Sequence, residues 1–180
     1  QRQMCIRDRI KKVHIPSTVK KIGNRSFKNN EITEFTTSPL MENMSFDNYA
    51  FAQNKLERVR LPYSVFKLQD HVFRDNLEEG HKVVLETLNP DHVHIGTYIK
   101  TETDGHIVKL ISENDRHPLW KEILRAKRVN LEDYSKEDGE DFAKIFNQVL
   151  EIFSDENSSQ EDLDKAKDKL SEAILDIRAS

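Results

Sequence analysis

Read for apolar positions alone, the first half of the chain repeats itself. Ile10, Val13, Ile15, Pro16, Val19, Ile22, Phe27 and Asn30 recur at identical spacings as Leu56, Val59, Leu61, Pro62, Val65, Leu68, Phe73 and Asn76. A degenerate copy lies between them, with Ile32, Phe35, Thr37, Met41, Met44, Phe51 and Asn54, and reads as carrying two extra residues between Met44 and Phe51. Leu77 opens a fourth unit. A period near 22 residues is the mark of a solenoid, in which no single coil can bury its own apolar edge and stacked coils share one core. Val13 and Ile15, like Val59 and Leu61, alternate inward on a short strand, and Pro16 and Pro62 end it. The later apolar pair turns the chain back, Phe27, Phe51 and Phe73 fill the interior, and an asparagine turn starts the next coil. Where Thr37 and Ser38 replace the apolar-proline pair, the middle coil is expected to be looser.

The strings around Ile15-Pro16 to Phe27 and Leu61-Pro62 to Phe73 resemble the BspA-type leucine-rich repeat over residues 10–77. The resemblance implies a secreted or surface-attached bacterial protein, placed outside the cell or at its wall.

Residues 78–114 carry β signals without a recognisable repeat phase: Val83-Val84-Leu85, His92-Val93-His94-Ile95, Tyr98-Ile99 and Ile107–Ile111, punctuated by Asn89-Pro90-Asp91 and Asp104-Gly105. Because a solenoid end exposes raw apolar edges, this stretch is expected to be a β cap and linker.

From residue 115 the pattern changes to helical spacing. Pro118 suits the first turn of a helix running to about Val129, with Leu119, Trp120, Ile123, Leu124 and Ala126 on its apolar side. Ser135 with Asp138, and Ser159 with Asp162, are capping-box-like starts for two more helices. The second carries Phe142, Ile145, Phe146, Val149, Ile152 and Phe153, and the third Leu163, Ala166, Leu170, Ala173, Ile174 and Ile177. Three apolar stripes predict a bundle over 115–180. The overall expectation is therefore an α+β, multi-module chain: a short β-solenoid-like leucine-rich repeat of three coils, a β cap, then a three-helix bundle. Leu131-Glu132-Asp133-Tyr134-Ser135 and the Asp164-x-Ala166-x-x-x-Leu170-x-x-Ala173 stretch are similar to the FIVAR module of Gram-positive surface proteins, which implies a spacer or glycan-associated role.

Composition then narrows the function. The 180 residues hold 28 basic and 32 acidic side chains, net −4, which gives no footprint for nucleic acid. Residues 1–9, QRQMCIRDR, resemble translated sequencing-adapter read-through and are set aside. Without them the balance is 25 basic to 31 acidic residues, and Cys5, the single cysteine, goes too, leaving no thiol chemistry. No apolar run approaches the roughly 18 residues of a membrane span. No nucleophile elbow, P-loop, dinucleotide fingerprint or zinc-protease motif is present, and five glycines leave little backbone for phosphate cradles, so no catalytic residue and no cofactor is expected.

Candidate chemistry is sparse. On a strand, His92 and His94 would share a face and could hold a divalent metal with Asp91 or His81, but exposed polar strand positions explain them better and no metal site is assigned. Glu137 with Asp138, and Asp162 with Asp164, lie in first helical turns, where macrodipole complementarity accounts for them. Trp120, Tyr134, Phe142 and Phe146 could form a sugar platform, but their helical spacing favours core packing. Lys12, His14, Glu34, Thr36, Arg58 and Arg60 are the outward strand positions and form the candidate binding face. The function expected is noncatalytic adhesion, protein interaction and spacing, with a host or bacterial surface protein as partner. The alternative is a glycan-binding accessory to a larger carbohydrate-active enzyme.

Overall fold

The computed structural model describes residues 9–94 and 105–179. Expectations for residues 1–8, for Ile95 and residues 98–99, and for the His94 side chain lie outside the described residues. The chain divides into two compact units, Gln1–Ile111 and Ser112–Ser180.

The first unit is a β-solenoid of about four turns. One strand stack begins with β1 (Lys12–Ile15) and continues through β3 (Glu34–Thr37), β5 (Arg58–Arg60), β7 (Val83–Thr87) and β8 (His106–Leu110). β1 pairs with β3 in parallel, Val13 opposite Phe35, and β5, β7 and β8 form a parallel sheet with Val59, Leu85 and Val108 in line. The opposite stack is β2 (Lys21–Ile22), β4 (Met44–Phe46) and β6 (Val65–Leu68), aligned on Ile22, Phe46 and Leu68. Between the stacks the phenylalanines lie over one another. The Phe27 and Phe51 rings are 5.0 Å apart and 12° from parallel, and Phe51 and Phe73 are 5.9 Å and 14°. Each fully buried side chain of this size contributes about 1.5–3 kcal/mol relative to exposure, so the repeated register is what makes the short coils stable.

Two further devices recur with the repeat. Asn54 accepts the Ile32 N–H at 3.1 Å and donates to the carbonyls of Phe27 at 2.8 Å and Phe51 at 3.0 Å. Asn76 does the same one coil on, accepting from Leu56 and donating to Phe51 and Phe73. These amides satisfy buried backbone groups that the turn would otherwise strand. The flank beside them is bonded in one sense only: the N–H groups of Arg25, Phe27 and Asn29 donate to the carbonyls of Asn48, Ala50 and Ala52, and those of Tyr49, Phe51 and Gln53 to Asp70, Val72 and Arg74. Left-handed backbone turns this corner twice per coil, at Arg25, Tyr49 and His71 and again at Asn29, Gln53 and Asp75.

Several expectations need correction. Phe46, not Met44, is the partner of Ile22 and Leu68, and the register shifts between Met44 and Ser45. The two extra residues of the middle copy are therefore absorbed upstream of Phe46, not between it and Phe51. The middle coil is not loose either: Ile32, Met41, Met44, Phe46 and Phe51 are all fully buried. Ser38 keeps the ladder despite replacing an apolar-proline pair, donating its N–H to Ile15 at 3.1 Å. The stretch expected to be a separate β cap is continuous with the solenoid, since β7 and β8 extend its parallel sheet. Its second β signal is instead the one-turn helix α1 (Asp91–His94).

The second unit contains α2 (His117–Ala126), α3 (Lys136–Ser154) and α4 (Gln160–Ala179). α2 stops at Ala126, short of Val129. Its Leu119 and Ile123 are buried, as are Phe142, Val149 and Phe153 of α3 and Leu163, Leu170 and Ile174 of α4. Ser135 Oγ accepts the Asp138 N–H at 3.1 Å and caps α3. At α4, Ser159 Oγ accepts from Asp162 at 3.1 Å while the Asp162 carboxylate accepts the Ser159 N–H at 3.1 Å, a reciprocal box. Hydrogen bonds from Ser159 hold the Asp162 carboxyl below its ordinary pKa, so its role is helix capping. Arg116, wholly buried, donates from Nε to the Phe153 carbonyl at 3.1 Å and from its terminal nitrogens to the Asp155 carbonyl and Ser112 Oγ, both at 2.7 Å. A cation thus closes the carbonyl end of α3, where the helix dipole favours positive charge.

Candidate functional site

Alternation on each short strand of the first stack sends one set of side chains inward and the other to the outer face. Four of the six candidates occupy that face as two local pairs, and Arg58 and Arg60 follow on the next rung. Lys12 Nζ lies 2.6 Å from the Glu34 carboxylate, and this hydrogen bond and charge raise the Lys12 pKa. His14 Nδ1 lies 2.9 Å from Thr36 Oγ1. Arg58 reaches forward to Glu86, at 2.7 Å, and Arg60 is half-buried. The exposed pairs are salt-screened and hold little energy. Their effect is to fix side-chain positions from rung to rung.

Four positions absent from the candidate set continue the face. Register places Val84 beside Arg58 and Ile107 beside Val84, with Glu86 beside Arg60 and Lys109 beside Glu86. Ile107 is 43% exposed, one of the few large apolar side chains left in solvent. Alternation within Val83–Thr87 and His106–Leu110 carried this information, but the longer coil before β7 hid the phase. Next to Arg58 and Val84 a groove of about 470 Å³ is lined also by Glu57, Leu77, His81 and Lys82.

His92 departs from the expectation of an exposed strand residue. It is 8% exposed, with Nδ1 2.7 Å from Thr87 Oγ1 and Nε2 3.2 Å from the Val65 carbonyl. A carbonyl only accepts, so Nε2 carries the proton and Nδ1 accepts from the Thr87 hydroxyl, which itself accepts the Asn89 N–H at 3.0 Å. Asn89 also donates to the Tyr63 carbonyl at 2.7 Å, tying the segment after β7 to the neighbouring coil. Both ring nitrogens are thereby engaged in structure. Among the described residues no group of three His, Cys, Asp or Glu side chains is placed to hold a metal ion.

Burial lowers the His92 pKa from 6.5, outweighing the opposing pull of the Val65 carbonyl and the Asp91 charge. The folded chain resists a proton that the unfolded chain takes up below pH 6.5. Stability linked to this residue is therefore complete above that value and falls on acidification toward the lower folded pKa. Urea midpoints measured at pH 7 and 5 should drop less for His92→Gln than for the unaltered chain. Equal drops would show that another group sets the slope.

In the helical unit, Trp120 stacks on Phe153 with centroids 5.5 Å apart, and Phe142 on Phe146 at 6.2 Å. These contacts are core packing along the helices. Glu137 and Asp138 fall in the first turn of α3 and Asp162 in that of α4, as charge complements to the helix starts. No described helix is long and apolar enough to cross a membrane.

The family pattern described as BspA type Leucine rich repeat region matches residues 4–85, in six copies. That span is somewhat less than half of the chain. It begins inside the segment set aside as adapter-like and ends within β7, beyond the expected limit at Leu77. The leucine-rich character read from the repeats thus stands for the solenoid. No curated protein and no solved structure matches the chain.

Proposed function

We propose that the chain is a noncatalytic module of a secreted or surface-displayed bacterial protein, in which the outer strand face docks a protein partner and a FIVAR-like helical unit serves as a spacer. The observation that carries this reading is the face itself. Parallel rungs about 4.8 Å apart hold Val84 and Ile107 side by side, bordered by Arg58, Arg60, Glu86 and Lys109. An apolar centre with a charged rim on a preformed sheet is the usual make-up of a protein-binding patch. The BspA-type match supports a protein-interaction role and a surface or secreted location.

The test uses the full chain immobilised against surface-protein extracts from host and bacterial cells. Ile107→Glu combined with Lys109→Glu should lower retention of the captured protein about tenfold or more without shifting the melting temperature. Undiminished retention overturns the assignment of this face. Enzymatic removal of glycans from the extract should leave capture intact, whereas its loss would favour the glycan-binding accessory role.

A further inference from the structure

We infer that the corner where Arg25 and Lys28 meet Tyr49 is a binding site for an acidic sugar, one bearing a carboxylate or sulfate. This surface lies away from the strand face, on the flank where the coils turn. Arg25 Cζ is 5.7 Å and Lys28 Nζ 5.4 Å from the centre of the Tyr49 ring, so two cations from one turn converge on a single aromatic of the next coil. Neither has an ion pair among the described residues, whereas Lys21 on the same coil is paired with Asp47 at 2.9 Å. Ring attraction offsets part of the repulsion between the two cations but satisfies none of their N–H donors directionally. An anion seated between them would do both.

The backbone holds this arrangement. Arg25 and Tyr49 are left-handed, with φ of 57° each, as is His71 at 61°, and the three occupy equivalent places in successive coils. Such a conformation is disfavoured for an arginine or tyrosine relative to glycine. The second left-handed column is filled by Asn29, Gln53 and Asp75, of which the asparagine and aspartate are of the kind suited to turns. The Arg25 and Phe27 N–H groups are bonded to the next coil, which pins the turn carrying both cations. The His71 ring of the following coil is 5.0 Å from that of Tyr49 and tilted 42° to it, a contact that helps hold the aromatic in place.

The surroundings favour a saccharide over an acidic peptide. Asn48, exposed and next to Tyr49 in the chain, accepts the Asp70 N–H through Oδ1 at 3.1 Å, which leaves its amide NH₂ to donate, and Asn24 is exposed at the equivalent place before Arg25. Amide groups and a tyrosine hydroxyl around an anion clamp supply the partners that sugar hydroxyls need. Three rungs about 4.8 Å apart span roughly 10 Å, the length of one or two pyranose rings.

Titration of the full chain, followed by the NMR shifts of the Tyr49 ring, would use methyl glucuronoside, methyl glucoside and a hexaglutamate peptide. The acidic glycoside should bind saturably, and more weakly as salt is raised, while the neutral one gives no saturable shift. Arg25→Gln with Lys28→Gln should weaken glucuronoside about tenfold or more, which is the worth of one strong charge-assisted contact, at an unchanged melting temperature. Absence of saturable glucuronoside binding, equal binding of the neutral glycoside, tighter binding of hexaglutamate, or undiminished binding by the double variant would each overturn the assignment.

Discussion

Replacing Phe51 with alanine should lower the stability of the solenoid by about 3–5 kcal/mol, the range for deleting a large aromatic from a packed core. Phe51 is fully buried and touches four other rings, with Phe35 at 4.8 Å and Phe46 at 6.0 Å besides the stacked Phe27 and Phe73. A void at its position separates the first coil from the third. The backbone gives little room for collapse, because the Phe51 carbonyl accepts both Asn54 and Asn76 amides and its N–H is committed to Val72. Urea unfolding followed by far-ultraviolet circular dichroism would measure the loss. A change under about 1 kcal/mol would mean that the coils repack around the gap and that the aromatic column is not their common support.

The second large effect is expected at Arg116. Its guanidinium reaches the Phe153 and Asp155 carbonyls and Ser112 from one fixed planar fork. Arg116→Ala strands acceptors at a buried helix end, at about 1–3 kcal/mol for each, and should cost the helical unit about 3 kcal/mol in total. Arg116→Lys should recover only part of this, since one ammonium cannot span the same acceptors. Trp120 is the single tryptophan and packs on Phe153, so its fluorescence during thermal unfolding reports this unit directly. A melt indistinguishable from that of the unaltered chain would show that water replaces the guanidinium without penalty.

Much of the solenoid could be read in advance because its core positions recur at fixed spacing and each has one physical meaning. Phe27, Phe51 and Phe73 lie above one another as the periodicity required. The errors have local causes. Met41 and Met44 stand three apart, as Val19 and Ile22 do, so they imitate the turn-back pair, whereas a register shift places Phe46 there. His92 and His94 alternate with apolar residues as strand positions do. Asn89, accepting the Asp91 N–H at 3.0 Å, instead starts a helical turn and draws His92 under the coil. β7 and β8 escaped the repeat because the coil leading to β7 is longer than those before it and the phase is lost there, though their inward Leu85 and outward Ile107 keep the alternation.

The helical unit was legible in its stripes and in the serine caps. Arg116 was not, because an arginine just before a proline-led helix looks the same whether solvated or buried. The outer face was half legible for a related reason. Lys12, His14, Glu34 and Thr36 pair with one another, while Arg58 and Arg60 belong with Val84, Glu86, Ile107 and Lys109. The turn corner at Tyr49 had no sequence signal at all, since cations three residues apart acquire meaning only when the next coil supplies the ring they share.

The one-directional bonding of the flank sets how such a chain can change length. Alternate N–H groups there leave their own coil and end on the following one, while those between them close turns within the coil, so excising or duplicating a complete coil would restore the same bonds between new neighbours. A fractional insertion would survive only off that flank, and the surplus of the middle copy is taken up between β3 and Phe46, where the ladder shifts by a step within β4 and then resumes. Length variants of this molecule should therefore differ by whole coils, with smaller indels confined to the crossings between its two strand stacks.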